Sequence, residues 1–492
     1  MRRLEVLWAG LAAAASIAGG VVHAQPAALG LAADPALLRW DPAVRYGQLP
    51  NGLRYAVQRN GAPKGGVSLR LAILVGSYDE ADEERGAAHL IEHLAYAGTR
   101  SFPPHQLDLI FAPLHVAFGP DRNATSDLKQ TVYQLDLPST DTSEMDVATR
   151  WLRDVAEGLS FSEPTLAHER VVIESERVAR ANILRVLRDR MDAFEDRPLR
   201  SNARYPLGTK DSVAGMTPAR LQVFYDRWYR PENAAVTLVG DLPLDVLEQK
   251  VRATFGDWTP RGAPGERASR SPPSAPRGLE LQVETNPGLP AVSGICRVTP
   301  PDAPGSPDAR LRALLLRGLW EAVLQERIAV VKSRKDAPFQ EATVSDEIRP
   351  DSVKTCVGIV PVEGQEVRAI ALVDAEIRRF ETEGPTEQET DAGLEQIRAS
   401  VRGAVGGGQH ASPDRATEVL ERVADQMPQL APREGLRAFD VLMEDTGPAA
   451  VRAAFARDWG GWGPLVVMTS PKPISEAAVR AAMSGDKTAA AQ

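Results

Sequence analysis

Two stretches of the chain repeat one order of apolar and polar positions. Residues 217–251, TPARLQVFYDRWYRPENAAVTLVGDLPLDVLEQKV, predict a helix, a turn, a continuously apolar and therefore buried strand, a turn and a second helix. Residues 447–479 run through the same order, and Trp228 and Trp459 hold matching places in the two. A β-rich run from Val67 to Val75 precedes the first stretch, one from Val292 to Val298 precedes the second, and helical segments follow each. The repetition predicts an ancient duplication and an α+β fold of two domains with one architecture. Residues 258–277, rich in Pro, Gly, Ser and Arg, read as a linker between domains at 30–257 and 278–480, and residues 481–492 read as a disordered tail.

Within the first half, good helix formers fill Ala87 to Ala97 and Gly98 offers a stop. At 100° per residue, His89, Glu92 and His93 share one arc, while Ala87, Leu90, Ile91 and Leu94 form the adjoining side that would bury the helix. Two imidazoles one turn apart can reach a single ion, with a carboxylate beside them. Zinc chemistry asks for this set: neutral imidazoles, a third protein ligand and a position left for water. The order His-x-x-Glu-His is the inverse of the commoner His-Glu-x-x-His. Only seven histidines occur in 492 residues, so the cluster stands out. A third ligand should lie on another segment. Residues 168–192 read as one long, highly charged helix, on which Glu169 and Glu176, seven apart, share a face to within about 20° and Glu174 points elsewhere. His105, His115, His168 and His410 have no partner at ligand spacing and read as loop or surface residues.

Composition narrows the setting. The chain carries 57 Lys and Arg against 66 Asp and Glu, net −9, without the basic stripe of a nucleic-acid binder. Arg2 and Arg3, the small apolar stretch Leu7 to Val22 and the Val22-His23-Ala24 site read as a signal peptide over residues 1–24, which places the protein in the periplasm or outside the cell. Beyond it no apolar run reaches the roughly 20 residues a membrane span needs. Cys296 and Cys356 are the only cysteines; in an oxidising compartment they either form one disulfide or remain two buried thiols.

The stretches LPNGLRYAVQRN, VSLRLAILVGSYDEADEERGAAHLIEHLAYAGTRSFPP, FGPDRNATSDLKQTVYQLDLP, ERVVIESER, RYPLGT and FYDRWYRPENAAVTLVGD cover nearly all of residues 44–241. Together they resemble the inverzincin peptidases of the M16 (pitrilysin/insulinase) family, in particular the N-terminal half of its bacterial PqqL-like zinc proteases. The C-terminal half is similar to that family's non-catalytic second domain through LLRGLWEAVLQERIAVVKSRKDAPFQEA. The resemblance implies two homologous M16-type (LuxS/MPP-like) domains, each an antiparallel-rich sheet covered by helices, together forming one half of a clamshell. It implies one zinc ion per chain, with His89 and His93 as ligands and Glu92 as the catalytic base. The family's third ligand lies seven residues after the Glu of a Glu-Arg pair; Glu169-Arg170 is that pair, so Glu176 becomes the ligand and Glu169 its support. The usual spelling places Glu directly before that ligand, whereas this chain has Ser175 there and Glu174 one place earlier. Glu174 is thus the alternative ligand, and the helix face that Glu169 and Glu176 share favours Glu176. Asn123 and Ala124 match the edge strand that pairs with the substrate backbone.

The implied activity is a zinc metalloendopeptidase acting on unfolded peptides. In the family the opposing half supplies an Arg and a Tyr that grip the substrate. All eight tyrosines here, Tyr46 to Tyr229, precede the linker, so a second M16-type subunit is expected as partner, with a homodimer as the other arrangement. The competing reading is a zinc-bearing but weakly active binding or scaffold subunit.

Overall fold

The computed structural model describes residues 38–104, 106–270, 275–302, 305–406, 410–427 and 429–484. The expected signal peptide, His105 and the last eight residues of the expected tail lie outside them. The chain folds as two α+β units, each a sheet covered by helices. The first sheet has strands β1 (Val44–Gln48), β2 (Arg54–Arg59), β3 (Val67–Ile73), β4 (Arg122–Ser126), β5 (Thr131–Leu137) and β6 (Ala234–Gly240), in the order β1-β2-β6-β3-β5-β4. The second has β7 (Glu280–Thr285), β8 (Val292–Thr299), β9 (Phe339–Arg349), β10 (Ser352–Pro361) and β11 (Trp462–Ser470), in the order β7-β11-β8-β10-β9. From β2 onward the two orders superpose. The parallel pair also recurs, β2 with β6 and β7 with β11, and every other pairing is antiparallel. A crossover connection is hard to reproduce by chance, so a shared topology of this kind supports duplication.

Among the described residues the helices of eight residues or more are α1 (Ala87–Ala97), α2 (Thr142–Glu157), α3 (Glu163–Arg180), α4 (Ile183–Glu195), α5 (Pro218–Trp228), α6 (Leu244–Phe255), α7 (Pro307–Lys332), α8 (Glu366–Glu383), α9 (Glu387–Gly406), α10 (Ser412–Ala424), α11 (Pro432–Met443), α12 (Pro448–Asp458) and α13 (Glu476–Met483). The last of these runs into the segment expected as a tail. The single helix expected over 168–192 is two. Ala181 turns extended, and Asn182 restarts the chain as α4 by accepting a hydrogen bond from the Arg185 N–H.

Every residue of β3 and β6 is buried, because both faces of the first sheet are covered. On one face Leu90, Leu94, Trp151 and Phe224 of α1, α2 and α5 pack over Leu69, Leu71 and Val236. The other face is lined by Ala56, Ala72 and Ala235, small enough for a helix to lie close, and the helix that lies there is α10, through Val419, Leu420 and Val423. That helix comes from the second half of the chain. The exchange is reciprocal. The end of α4, from the first half, sets Met191 and Phe194 against Cys296, Val298 and Trp462 of the second sheet. In chain order α4 and α10 are the matching third helices after β5 and β10, so each unit lends the same element to the other.

The segment expected as a linker is fastened to the first unit. Asp79 accepts hydrogen bonds from Arg267 (2.6 Å) and from the Ala268 N–H (2.9 Å), and Arg230 donates to the carbonyls of Arg261 and Gly262. Cys296 on β8 and Cys356 on β10 are direct cross-strand partners with Cα atoms 4.1 Å apart, and their sulfurs are bonded.

Candidate metal centre

The centre is built on α1. Gly86, at its N-cap, has φ +92°, a conformation that side chains resist, and a Cβ there would press on Val213 and Gly208. Glu80, wholly buried, accepts from the N–H groups of Gly86 (2.8 Å) and Ala88 (2.9 Å), two donors the helix start leaves unpaired. Burial pushes the Glu80 carboxyl up to about 8 against the pull of those donors. Leu90, Ile91, Leu94 and Ala95 anchor the helix in the core. His89 and Glu92 are buried, and half-buried His93 faces α3.

There the side chains converge. Glu176 Oε2 lies 3.6 Å from His89 Nε2 and 3.6 Å from His93 Nε2, and the two imidazole centroids are 4.7 Å apart. Tetrahedral zinc with ligand bonds near 2.1 Å separates its donors by about 3.4 Å, so the three atoms surround a volume of the right size. Glu169 Oε2 stands 3.2 Å from His93 Nδ1; an N–H donated there leaves Nε2 with its lone pair toward the other donors. Burial, and then the neighbouring His93, push His89 down to about 3, so it is held as neutral imidazole, the ligating form. Burial opposes charge on His93, but its hydrogen bond to Glu169 and the carboxylates around it raise its pKa. Burial raises Glu92 above the usual carboxylate range, partly opposed by Ser126 on β4. Glu92 Oε2 is buried with no hydrogen-bond partner among the described residues. Two imidazole nitrogens and one carboxylate oxygen around a common point fit a zinc ion.

The five residues His89, Glu92, His93, Glu169 and Glu176 are thus brought together. Glu174 is not: it turns to Arg177, 3.2 Å away. Asn123 and Ala124 lie on β4, which forms the edge of its sheet. His115 sits in a turn at φ +56°, and His410 Nδ1 is 3.4 Å from Glu418, both apart from the cluster. Sequence reasoning missed Arg180, which pairs with Glu176, and Ser126, whose alternate position on β4 was the only signal available.

The model of the insulinase (peptidase family M16) domain matches residues 55–206, and that of the M16 inactive domain matches residues 215–329. A Haemophilus influenzae protein described as "Probable zinc protease PqqL" is 34% identical over 223 residues, 45% of this chain and 24% of that one. Its Escherichia coli counterpart is 35% identical over 207 residues, 42% of this chain and 22% of that one. The crystal structure of the periplasmic protease PqqL from Escherichia coli superposes with TM-score 0.80 at 23% identity, over 92% of this chain and 51% of that one. Its first half, solved separately, is covered over 98%. The chain therefore spans about half the length of that relative. The two matched domains, the doubled sheet topology and these likenesses agree: the chain belongs to the M16 insulinase family of peptidases.

Proposed function

We propose that the chain is the catalytic half of a zinc metalloendopeptidase that hydrolyses unfolded peptides in the periplasm or outside the cell. The observation that carries this is the convergence of His89, His93 and Glu176 on one point beside the unengaged oxygen of Glu92. When bound there, zinc supplies a Lewis acid that acidifies a water and polarises a carbonyl. Glu92 takes the proton of the attacking water and returns it to the leaving amine. Glu169 fixes the tautomer and direction of His93. The free edge of β4, at Asn123 and Ala124, receives the substrate backbone as an added strand. Among the described residues no helix is long and apolar enough to cross a membrane.

Metal analysis tests the reading. The purified chain should hold one zinc, His89→Ala and Glu176→Gln should lose it, and Glu174→Gln should retain it. Full zinc in Glu176→Gln, or its loss in Glu174→Gln, overturns the ligand set.

A second M16-type half is proposed to face this one and to supply the gripping Arg and Tyr, since no tyrosine follows Tyr229. Positioning contributes several kcal/mol to catalysis, roughly 7–11 in well-oriented systems. The chain assayed alone should therefore be slow, and the added half should raise peptide turnover by at least about 100-fold. Full activity of the chain alone refutes the arrangement. The weakly active binding subunit is the result if zinc is bound and neither preparation cleaves.

A further inference from the structure

β4 carries a second feature on the same face as Ala124 and Ser126. Arg122 is 1% exposed, and its guanidinium carbon lies 5.4, 5.0 and 5.7 Å from the ring centroids of Tyr96, Phe111 and Phe118. Nη2 donates to Asp108, on the short helix Leu107–Phe111. Nε and Nη1 are buried without a hydrogen-bond partner among the described residues, and so is the Tyr96 hydroxyl. Aromatic faces hold the cation without using its in-plane N–H groups, so the rings leave those donors unspent. Asp108 is a weak counterion for a charge buried this deeply: its side chain is 83% exposed and its attraction is screened by water. A buried guanidinium with donors unpaired is costly, and a planar carboxylate is the partner its geometry suits.

The place matters as much as the chemistry. Tyr96 follows Glu92 by one helical turn, about 6 Å along α1. Arg122, Ala124 and Ser126 alternate along the edge strand beside that helix, and Ser126 is the residue beside Glu92. A peptide added to the edge of β4 turns every second side chain to this face. Phe118, 60% exposed, is the wall between the guanidinium and solvent.

We propose that Arg122, boxed by Tyr96, Phe111 and Phe118, forms a subsite beside the catalytic centre that takes a substrate carboxylate, an acidic side chain or a chain terminus. The inference rests on the peptidase reading and adds a substrate class to it: acidic peptides. The carboxylate meets Nε and Nη1 as Phe118 swings outward, and it competes with Asp108 for Nη2.

Binding tests this apart from turnover. The zinc-loaded Glu92→Gln chain is titrated with fluorescent peptides that differ at one position, Glu or Gln, and with a neutral peptide bearing a free or an amidated C-terminus. A carboxylate in one of these pairs should bind at least about tenfold more tightly than its amide, a difference of about 1.4 kcal/mol. The pair that shows the difference identifies the source. Adding Arg122→Met should abolish the preference while neutral peptides still bind, and adding Asp108→Asn should widen it. Should Arg122→Met fail to fold, Asp108→Asn decides, since a purely structural arginine predicts an unchanged ratio there. Equal affinity within both pairs overturns the inference and leaves the peptidase reading intact. If no peptide binds even with the opposing half added, the peptidase reading falls, and the subsite with it.

Discussion

Glu92→Gln should leave the fold and the zinc content unchanged and lower peptide turnover by at least about 100-fold, the scale on which a lost general base acts. The substitution is close to isosteric, and the site it enters is rigid. α1 is anchored through Leu90, Ile91 and Leu94, and its start is held by Glu80. Glu92 makes none of the contacts that define the donor set: His89 and His93 meet Glu176, and His93 meets Glu169. Metal retention is therefore expected, in contrast to Glu176→Gln. What the amide cannot do is accept a proton, and Glu92 Oε2, buried and unpartnered, is the atom placed to accept it. A 100-fold loss corresponds to about 2.7 kcal/mol of barrier. The decisive measurement is kcat for wild type and variant, with the opposing half present, alongside zinc analysis of both. A variant that keeps its zinc and its turnover removes Glu92 from the mechanism. One that loses zinc shows that Glu92 supports the metal.

Much of this centre was legible because its parts lie close in sequence or repeat a helical period. His89, Glu92 and His93 fall on one arc by counting 100° per residue, and α1 presents them so. Glu169 and Glu176 share a face of α3 by the same arithmetic. Their arrival at His93 and His89 depends on how α3 packs, which periodicity does not give; the family resemblance supplied it. The repeated order of apolar runs told that the second unit shares the architecture of the first, and the strand order itself came with the structure. Other features were hidden for physical reasons. An amphipathic stripe such as Ala416, Val419, Leu420 and Val423 tells that a helix buries one face, not which sheet it covers, so the exchange of α4 and α10 left no mark on the pattern. The break between α3 and α4 rests on one capping residue, Asn182, in a stretch whose charges read as continuous helix. Arg122 looked like an ordinary polar residue of an edge strand, because its aromatic box is assembled from α1, a short helix and a turn.

The exchange carries the second large prediction: Lys354→Met should cost about 3–5 kcal/mol of stability, the scale for removing one partner from a buried ion pair. Lys354 lies on β10 of the second sheet with its side chain 3% exposed. Its ammonium donates to Glu195 Oε2 (2.8 Å), Asp192 Oδ1 (3.0 Å) and Asp196 Oδ2 (3.2 Å), which belong to the end of α4 and the residue after it, lent by the first unit. Arg349 on β9 also meets Asp196 and Asp192. Burial opposes the charge on Lys354, but the three carboxylates outweigh it and raise its pKa; burial likewise opposes the charge on Asp192, but Lys354 foremost holds its pKa down. The signs define a window. The lysine's contribution is full below its ordinary pKa and is lost only as pH rises through the raised value. That of Asp192 is full above its ordinary pKa and is lost as pH falls through the depressed one. The Lys354–Asp192 pair should accordingly hold at full strength between roughly pH 5 and 9, while burial raises the pKa of Glu195 and Asp196 against the pull of Lys354. Methionine matches the length of the lysine stem and leaves Glu195 buried without its cation, so the loss is chiefly electrostatic. The double variant Lys354→Met/Glu195→Gln should then recover part of the loss, because it removes the stranded charge, and the two changes should not add. Chemical denaturation at neutral pH, followed by tryptophan fluorescence, gives the comparison. A Lys354→Met protein that unfolds with wild type, or a double variant as unstable as the sum of its parts, would show that packing of α4 rather than its charges joins the two units.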